Sequence, residues 1–370
     1  VTTYALSPLF KITRLDQEGR VVLHAGSGDE RGHFAVGGAG AQPLIAWLLG
    51  VSPAGEAVLV DGVASAAGMD LEAGRTFVRS MIEAKVLVPV GSHAREQRRI
   101  AEWGRFGWRD AADFHLATYG LRFIPDEVDG VSYEEYFSQM VDDVESAGEQ
   151  PPATVPRAGS RVCEAFTDPL TRRPSLDDVL AVAEPINRFE GAQVRGQEFM
   201  PALRQAFGVQ RTVGGMLGDH HLRSYPSGGA RHPFEAYVVS KGLDDLPVGV
   251  YYFDPLTGGL VSTSDYGDAE RIDVACFGKG GILTAGAVVV LTCRWLRHSW
   301  KYRYDRSYRM LMLEVGHIVQ AINLAMIEHG LTVYHCPSIN DQALRQILAI
   351  DDDCAEGPVY ALGLGHGGVR

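Results

Sequence analysis

From Arg306 to Gly330 the chain reads RSYRMLMLEVGHIVQAINLAMIEHG, a stretch of helical spacing that is apolar nearly all round. A helix of that kind cannot rest on a surface with a single stripe buried; it demands a core or a subunit interface. Any fold available to this chain must therefore bring other elements against it, and the neighbouring sequence supplies them. AGAVVVLTC, ending at Cys293, is a near-continuous β-branched run of the type buried on both faces of a sheet. FEAYVVS and PVYALGLG read as further strands, and VGVYYFDPLTGGLVSTS as a hairpin turning at Asp254 to Gly259. FMPALRQAFG reads as an amphipathic helix with a glycine stop, and SLDDVLAVA as a helix capped by Ser175, with Asp178 three residues on in place of Glu or Gln. From residue 170 onward the chain thus predicts an α+β domain.

At 370 residues the protein exceeds one ordinary core, so about two domains and a connector are expected. Residues 1–94 hold the strand-like GRVVLHAG and HFAVGG, a short helix in QPLIAWLLG and a longer one in MDLEAGRTFVRSMIEA. Asp70 caps that longer helix and Phe77, Val78, Met81 and Ile82 share one face of it, before the strand-like KVLVPV. Helix, helix, strand is a winged-helix-like order. Residues 1–94 carry seven Lys or Arg against nine Asp or Glu, and the whole chain has a formal net charge of −12, so a nucleic-acid partner is excluded. A strand edge or helix groove that holds a peptide is the better use of such a domain; a structural extension is the other. Residues 95–169 read as a connector. Its aromatics Trp103, Phe106, Trp108 and Phe114 predict a helix packed onto a neighbouring domain, and VDDVESAGEQPPATVPRAGS predicts a linker. The five cysteines are scattered with no C-x-x-C pair, and the N-terminal VTTYALSPLF has no basic segment followed by a long apolar one. Reduced thiols, a cytoplasmic location and no membrane span are the expectations.

Two motifs could carry chemistry. In YPSGGARHPFEAY, Ser227, Gly228 and Gly229 stand directly before a strand. Two residues without side chains let backbone approach a planar ligand and leave amide donors to offer it, and a plain tight turn is the alternative. In SWKYRYDRSYR, Lys301 and Tyr302 precede the long helix. A desolvated lysine can serve as a base near neutrality with a tyrosine relaying a proton, although Lys-Tyr is also a common dipeptide. Arg306, Arg309, Glu314, His317 and Gln320 then place polar groups on the apolar helix. Their partners are either one another, as in an Arg309–Glu314 pair, or a ligand. Ser227 lies near His220, His221 and His232 but in no G-x-S-x-G elbow, and the histidines, with His335 and His366, lack the spacing of a metal site.

Taken in order, YPSGGARHPFEAYVV, PVGVYYFDPLTGGL, SWKYRYDRSYRMLMLEVGHIVQAINLAMIEHGL and EGPVYALGLG resemble the SagB-type dehydrogenases. That family is a branch of the FMN-dependent nitroreductase fold that includes the microcin and cyanobactin azoline oxidases. The resemblance covers residues 170–370, and the winged-helix-like front with GWRDAADFHLAT is similar to what precedes the flavin domain in many members. It implies FMN bound at a homodimer interface and oxidation of a thiazoline or oxazoline in a ribosomal peptide to an azole, with dioxygen reoxidising the flavin. A cyclodehydratase of the same complex is an implied partner. Ser227, Gly228 and Gly229 would line the flavin, and Lys301 and Tyr302 would be the base and its proton partner. Glu184 and Asn187, in AEPINRFEG, stand where the family carries arginines for the FMN phosphate, which leaves Arg188, Arg211 or Arg223 for that task. Pro337 stands where relatives offer an amide to flavin N5, which leaves the adjacent Ser338 on the cofactor side. Two other readings stay open: a flavin-poor relative acting as a peptide-binding scaffold, and an NAD(P)H-dependent nitroreductase-like enzyme acting on a small molecule.

Overall fold

In a computed structural model of the protein, the described residues are 2–15, 20–25, 32–38, 41–119, 127–128, 131–132, 135, 138, 141–142, 150–152, 154, 159, 161–163, 170, 173–182, 185–191, 194–215, 218–264, 270–351 and 355–369. The chain divides into two compact units, Val1–Gly130 and Val131–Arg370.

The first unit runs β1 (Thr3–Leu6), β2 (Lys11–Leu15), β3 (Val21–Ala25), β4 (Gly32–Val36), α1 (Ala41–Gly50), β5 (Ala54–Gly55), α2 (Glu56–Ala67), α3 (Leu71–Glu83), β6 (Leu87–Pro89), α4 (Ala94–Gly104) and α5 (Arg109–Ala117). Strands β5, β1 and β6 form one antiparallel sheet in that order, and β2, β3 and β4 form another. Asp70 caps α3 as its sequence position predicts, accepting from the Ala73 amide at 2.8 Å. Of the face read from the spacing, Val78 and Met81 are fully buried among Leu44, Leu48, Leu59 and Leu87 while Phe77 and Ile82 pack at the rim. The connector departs from expectation. Trp103 packs edge-on against Trp108 at 5.9 Å, and Trp108 and Phe106 remain 61% and 77% exposed, so these rings cover one another rather than insert into a core. Helices α4 and α5 belong to the first unit, where Asp113 reaches Lys11 at 3.7 Å.

The second unit contains β7 (Arg161–Cys163), α6 (Leu176–Ala181), α7 (Gly196–Phe207), β8 (Arg211–Gly215), β9 (Gly218–Leu222), β10 (Phe234–Ser240), β11 (Gly249–Phe253), β12 (Leu260–Ser264), α8 (Glu270–Ala275), α9 (Gly280–Leu283), β13 (Ala287–Arg294), α10 (Trp295–Ser299), α11 (Ser307–Glu328), β14 (Thr332–Cys336), α12 (Asp341–Ile347) and β15 (Glu356–Gly365). Seven strands form an antiparallel sheet in the order β14-β15-β13-β10-β11-β12-β7. The edge strand β7 comes from the segment that the sequence suggested as connector, because Arg161 and Cys163 pair with Val261 and Leu260. Most of the linker-like 141–160 and all of Glu184 lie outside the described residues.

Alternation sorts the central strands onto two cores. Ala236, Val238, Val289 and Leu291 face α7 and α11, among Phe199, Leu203, Ile318, Ile322 and Met326. Tyr237, Val239, Val288 and Val290 face the opposite layer, with Ile272, Leu344 and Ile347. The β-branched run is thus buried on both faces, as its composition demands. Ser175 forms the predicted box with Asp178, whose carboxylate accepts from the Ser175 amide at 3.0 Å and hydroxyl at 2.7 Å. The long helix α11 is not wrapped all round. Leu311, Ile318, Ile322 and Met326 are buried, whereas Met312 and Leu313 on the outer face are 40% and 65% exposed.

Candidate functional site

The segment between β9 and β10 makes a tight 3₁₀ turn at Gly228–Ala230 with a left-handed residue, Gly229, at φ 55°. Ala230 and His232 also adopt positive φ, 53° and 44°. Side chains rarely occupy that region, and each such residue costs about 1–2 kcal/mol. Surrounding contacts hold the strained loop. Ser227 Oγ accepts from the His232 amide at 2.9 Å. Arg297 of α10 donates to the His232 carbonyl at 3.0 Å and to Glu235 at 2.6 Å, both charges being fully buried. Arg231 returns the tie, donating from Nε to the Arg297 carbonyl at 3.2 Å. Tyr252 donates to the second oxygen of Glu235 at 3.0 Å, so this buried carboxylate is satisfied on both sides.

This clamp fastens the loop to α10, and α10 places the second motif. The His298 carbonyl accepts from the amides of Lys301 (3.2 Å) and Tyr302 (3.1 Å), which extends the helical turn and sets both residues. Their tips arrive over the bend. A Cβ built on Gly229 would lie 2.7 Å from Lys301 Nζ and 2.8 Å from Tyr302 Oη. One on Gly228 would meet Met310 Cε at 3.0 Å, Tyr302 Cε2 at 3.4 Å and His298 Cε1 at 3.5 Å. The two sequence motifs therefore form one site, in which a Cβ at Gly229 would crowd both tips while one at Gly228 would crowd only the flexible Met310.

The electrostatics are those of a partly dry cationic face. Burial, and then the neighbouring Arg231 guanidinium, push the Lys301 ammonium below the ordinary lysine range. Arg231 is itself buried, with Trp300 at 5.2 Å from its guanidinium, and donates to the Pro151 carbonyl at 3.4 Å. His298 stacks on Tyr302 at 4.8 Å, and burial lowers its imidazole to about 4, so it is neutral near pH 7.

Under the bend sits Glu314 of α11, 3% exposed. Its carboxylate receives the Ser227 hydroxyl and the Gly228 amide, with Arg223 as the facing cation. Glu314 is thus paired with the diglycine turn and not with Arg309. These two donors point into the core, and what the bend offers outward is its bare Cα surface.

Of the remaining residues named from sequence, Arg223 faces Glu314 beneath the bend, while Arg188, Asn187 and Ser338 have their partners elsewhere. Arg223 is buried, donating to Tyr225 Oη at 3.0 Å and to the Phe234 carbonyl at 3.3 Å, with its guanidinium 4.5 Å from the Phe207 ring. Arg188 lies at the surface in an ion pair with Glu190 at 2.6 Å. The Asn187 amide donates to the Val369 carbonyl at 2.7 Å. Pro337 and Ser338 are exposed after β14, the Ser338 carbonyl accepting from Cys336 Sγ at 3.2 Å. Sequence reasoning missed His298, Met310 and Arg231. His298 had a signal, since it precedes Lys301 by three residues and Tyr302 by four, one helical turn.

At these distances the tips of Lys301 and Tyr302 already occupy the space over Gly229, so a flat heterocycle would rest on the bend only with both tips drawn back. Of the three arginines named for a phosphate, Arg188 and Arg223 are committed elsewhere, and Arg211 is exposed at the start of β8.

Comparison with known proteins agrees with this architecture. The model of the nitroreductase family matches residues 186–366. MJ1384 of Methanocaldococcus jannaschii, a protein named for the nitroreductases, is 26% identical over 177 residues, 48% of this chain and 85% of its own length. The trifolitoxin operon protein TfxC of Rhizobium leguminosarum bv. trifolii is 24% identical over 327 residues, 85% of this chain and 87% of TfxC. The trifolitoxin-processing protein TfxB of the same organism is 29% identical over 147 residues, only 36% of this chain and 37% of TfxB. The residues that match the nitroreductase family, 186–366, carry the diglycine bend, the Lys-Tyr pair and six strands of the seven-stranded sheet.

Proposed function

We propose that this protein is an FMN-dependent oxidoreductase that matures a ribosomally made peptide, oxidising an azoline ring to an azole. The observation that carries the reading is the convergence of Lys301 Nζ and Tyr302 Oη on the space above Gly229. The names of TfxB and TfxC, which concern trifolitoxin, support a peptide as substrate.

Ser227, Gly228 and Gly229 would carry the ring, with Lys301 and Tyr302 facing it. When bound, FMN supplies the acceptor for a hydride equivalent. Lys301, its ammonium disfavoured by burial and Arg231, would take the α-proton of the azoline on its amine. Tyr302 Oη, beside that amine, hands the proton onward. The substrate loses two hydrogens, one as the proton on Lys301 and one as hydride, and its ring becomes aromatic. His298, neutral and stacked on Tyr302, fixes the phenol plane and keeps water from it.

Self-association through the outer face of α11 belongs to this reading, supported by the exposed Met312 and Leu313. The first unit would hold the unmodified part of the peptide as a winged-helix-like domain, a use supported by the order α2, α3, β6. A biosynthetic complex with a cyclodehydratase, and a cytoplasmic setting, complete the proposal. The engagement of Arg188 and Arg223 favours one competing reading, a flavin-poor scaffold subunit.

Reconstituting the purified protein with FMN and supplying an azoline-bearing peptide tests the proposal by mass spectrometry. A product lighter by two hydrogens, formed with oxygen uptake, is expected. A colourless protein that takes up no FMN would establish the scaffold, and NADPH oxidation without peptide would establish a small-molecule reductase.

A further inference from the structure

A carboxylate buried to the extent of Glu314 normally has every lone pair engaged or an ion-pair partner in contact. Here Oε1 has no hydrogen-bond partner among the described residues, while the carboxylate receives the Ser227 hydroxyl and the Gly228 amide. Ser227 is the relay in this arrangement, since its Oγ donates to Glu314 and accepts from the His232 amide at 2.9 Å. One acidic side chain on the long helix therefore holds both ends of the strained turn on which Lys301 and Tyr302 converge. No sequence spacing connects it to that turn.

We propose that Glu314 is the positioning residue of the diglycine bend, and that loss or gain of its proton tightens or loosens the surface on which the flavin ring rests. The role of Glu314 in the bend stands on the geometry alone; the statement about the ring rests on the reading given under Proposed function.

The groups around Glu314 allow its proton to act alone. Facing it are the Arg223 guanidinium, and Tyr225 and Cys293, both pushed by burial well above their usual ranges and so neutral. On the far side of the loop His232 is lowered to about 3 and His298 to about 4, so both are neutral above pH 6. Burial raises Glu314 itself from 4.5 to about 7, against the opposing pull of Ser227, Gly228 and Arg223. Above that value the turn is held by charge-assisted hydrogen bonds, and below it by neutral ones of roughly half the strength.

Glu314→Gln keeps the shape and removes the titration. Hydrogen exchange of the 225–232 segment, corrected for intrinsic rates, reads the bend without any cofactor present. At pH 8 the variant is expected to exchange about fivefold faster than wild type, and at pH 6 the two are expected to exchange alike. A residue that merely fills space predicts no pH-dependent difference. Equal exchange at both pH values, or the same difference at both, would overturn the assignment. FMN affinity is measured separately by quenching of flavin fluorescence, and should fall about fivefold from pH 8 to pH 6 in wild type and stay level in Glu314→Gln. If exchange behaves as expected but wild type takes up no FMN, the flavin reading fails and the positioning role stands; if FMN is taken up but exchange is unchanged, the positioning role fails and the flavin reading stands.

Discussion

Replacing Gly229 by alanine separates the geometry of the site from the stability of the fold. At φ 55° an alanine costs about 1–2 kcal/mol of left-handed strain. The smaller conformational freedom of its unfolded chain offsets about 0.4–1 kcal/mol, leaving a net loss near 1 kcal/mol. For a unit of this size such a loss lowers Tm by about 2–4 °C. The contact geometry does more damage. The new Cβ would stand 2.7 Å from Lys301 Nζ and 2.8 Å from Tyr302 Oη, and ordinary contact begins at 3.4 Å, so the two tips must retreat by about 0.7 and 0.6 Å. The amine swings away on a flexible stem. The phenol is pinned by its stack on His298 and yields only by tilting the ring. Displacements of this size cost about 10–10²-fold in turnover. Gly228→Ala is the control, because the one contact of its Cβ shorter than 3.4 Å is to the flexible Met310 Cε, at 3.0 Å, and its backbone is not left-handed. Thermal unfolding and azoline turnover, measured on both variants, decide the matter. If Gly229→Ala turns over as fast as wild type, or Gly228→Ala is the more damaging change, the tips do not converge on this bend and the reasoning fails.

Three further outcomes follow from the same contacts. Lys301→Ala should retain FMN, seen as unchanged flavin absorbance, while single-turnover oxidation slows by about 10²–10⁴-fold. Arg297→Ala strands the Glu235 charge in the core and should destabilise the protein by about 3–5 kcal/mol in denaturant titrations, whereas an Arg297→Met, Glu235→Leu double variant should recover most of that. Burial holds His232 near 3 and His298 near 4, both below the ordinary 6.5, so the folded state binds fewer protons than the unfolded one and stability falls as pH drops from 6.5 toward 4; His298→Phe should make that fall shallower in denaturation midpoints taken at pH 7, 5.5 and 4.5.

What the sequence disclosed was local, and what it concealed was distant. Asp70 and Ser175 are legible as caps because their partners, Ala73 and Asp178, lie three residues away. The run through Val288, Val289 and Val290 is legible because strand alternation leaves it no exposed face. Ser227–Gly229 and Lys301–Tyr302 were each visible, but their junction depends on Arg297 reaching Glu235, 62 residues away, a pairing that no periodicity encodes. Glu314 illustrates the same limit. Helical spacing offered Arg309 as its partner, and the actual partner is a turn brought beneath it only once the sheet has formed. The aromatic cluster is local in the same way as the caps, since Trp103 and Trp108 find each other within a few residues. The edge strand Arg161–Cys163 escaped notice because three residues carry no readable alternation.

The account turns on whether a flavin ring rests on the bend at Gly228 and Gly229. A crystal structure of the protein grown with FMN measures this directly. The isoalloxazine should lie in van der Waals contact with those two glycines, with Lys301 Nζ turned toward it. Density for the ring at another surface, or none at saturating FMN, would contradict the claim.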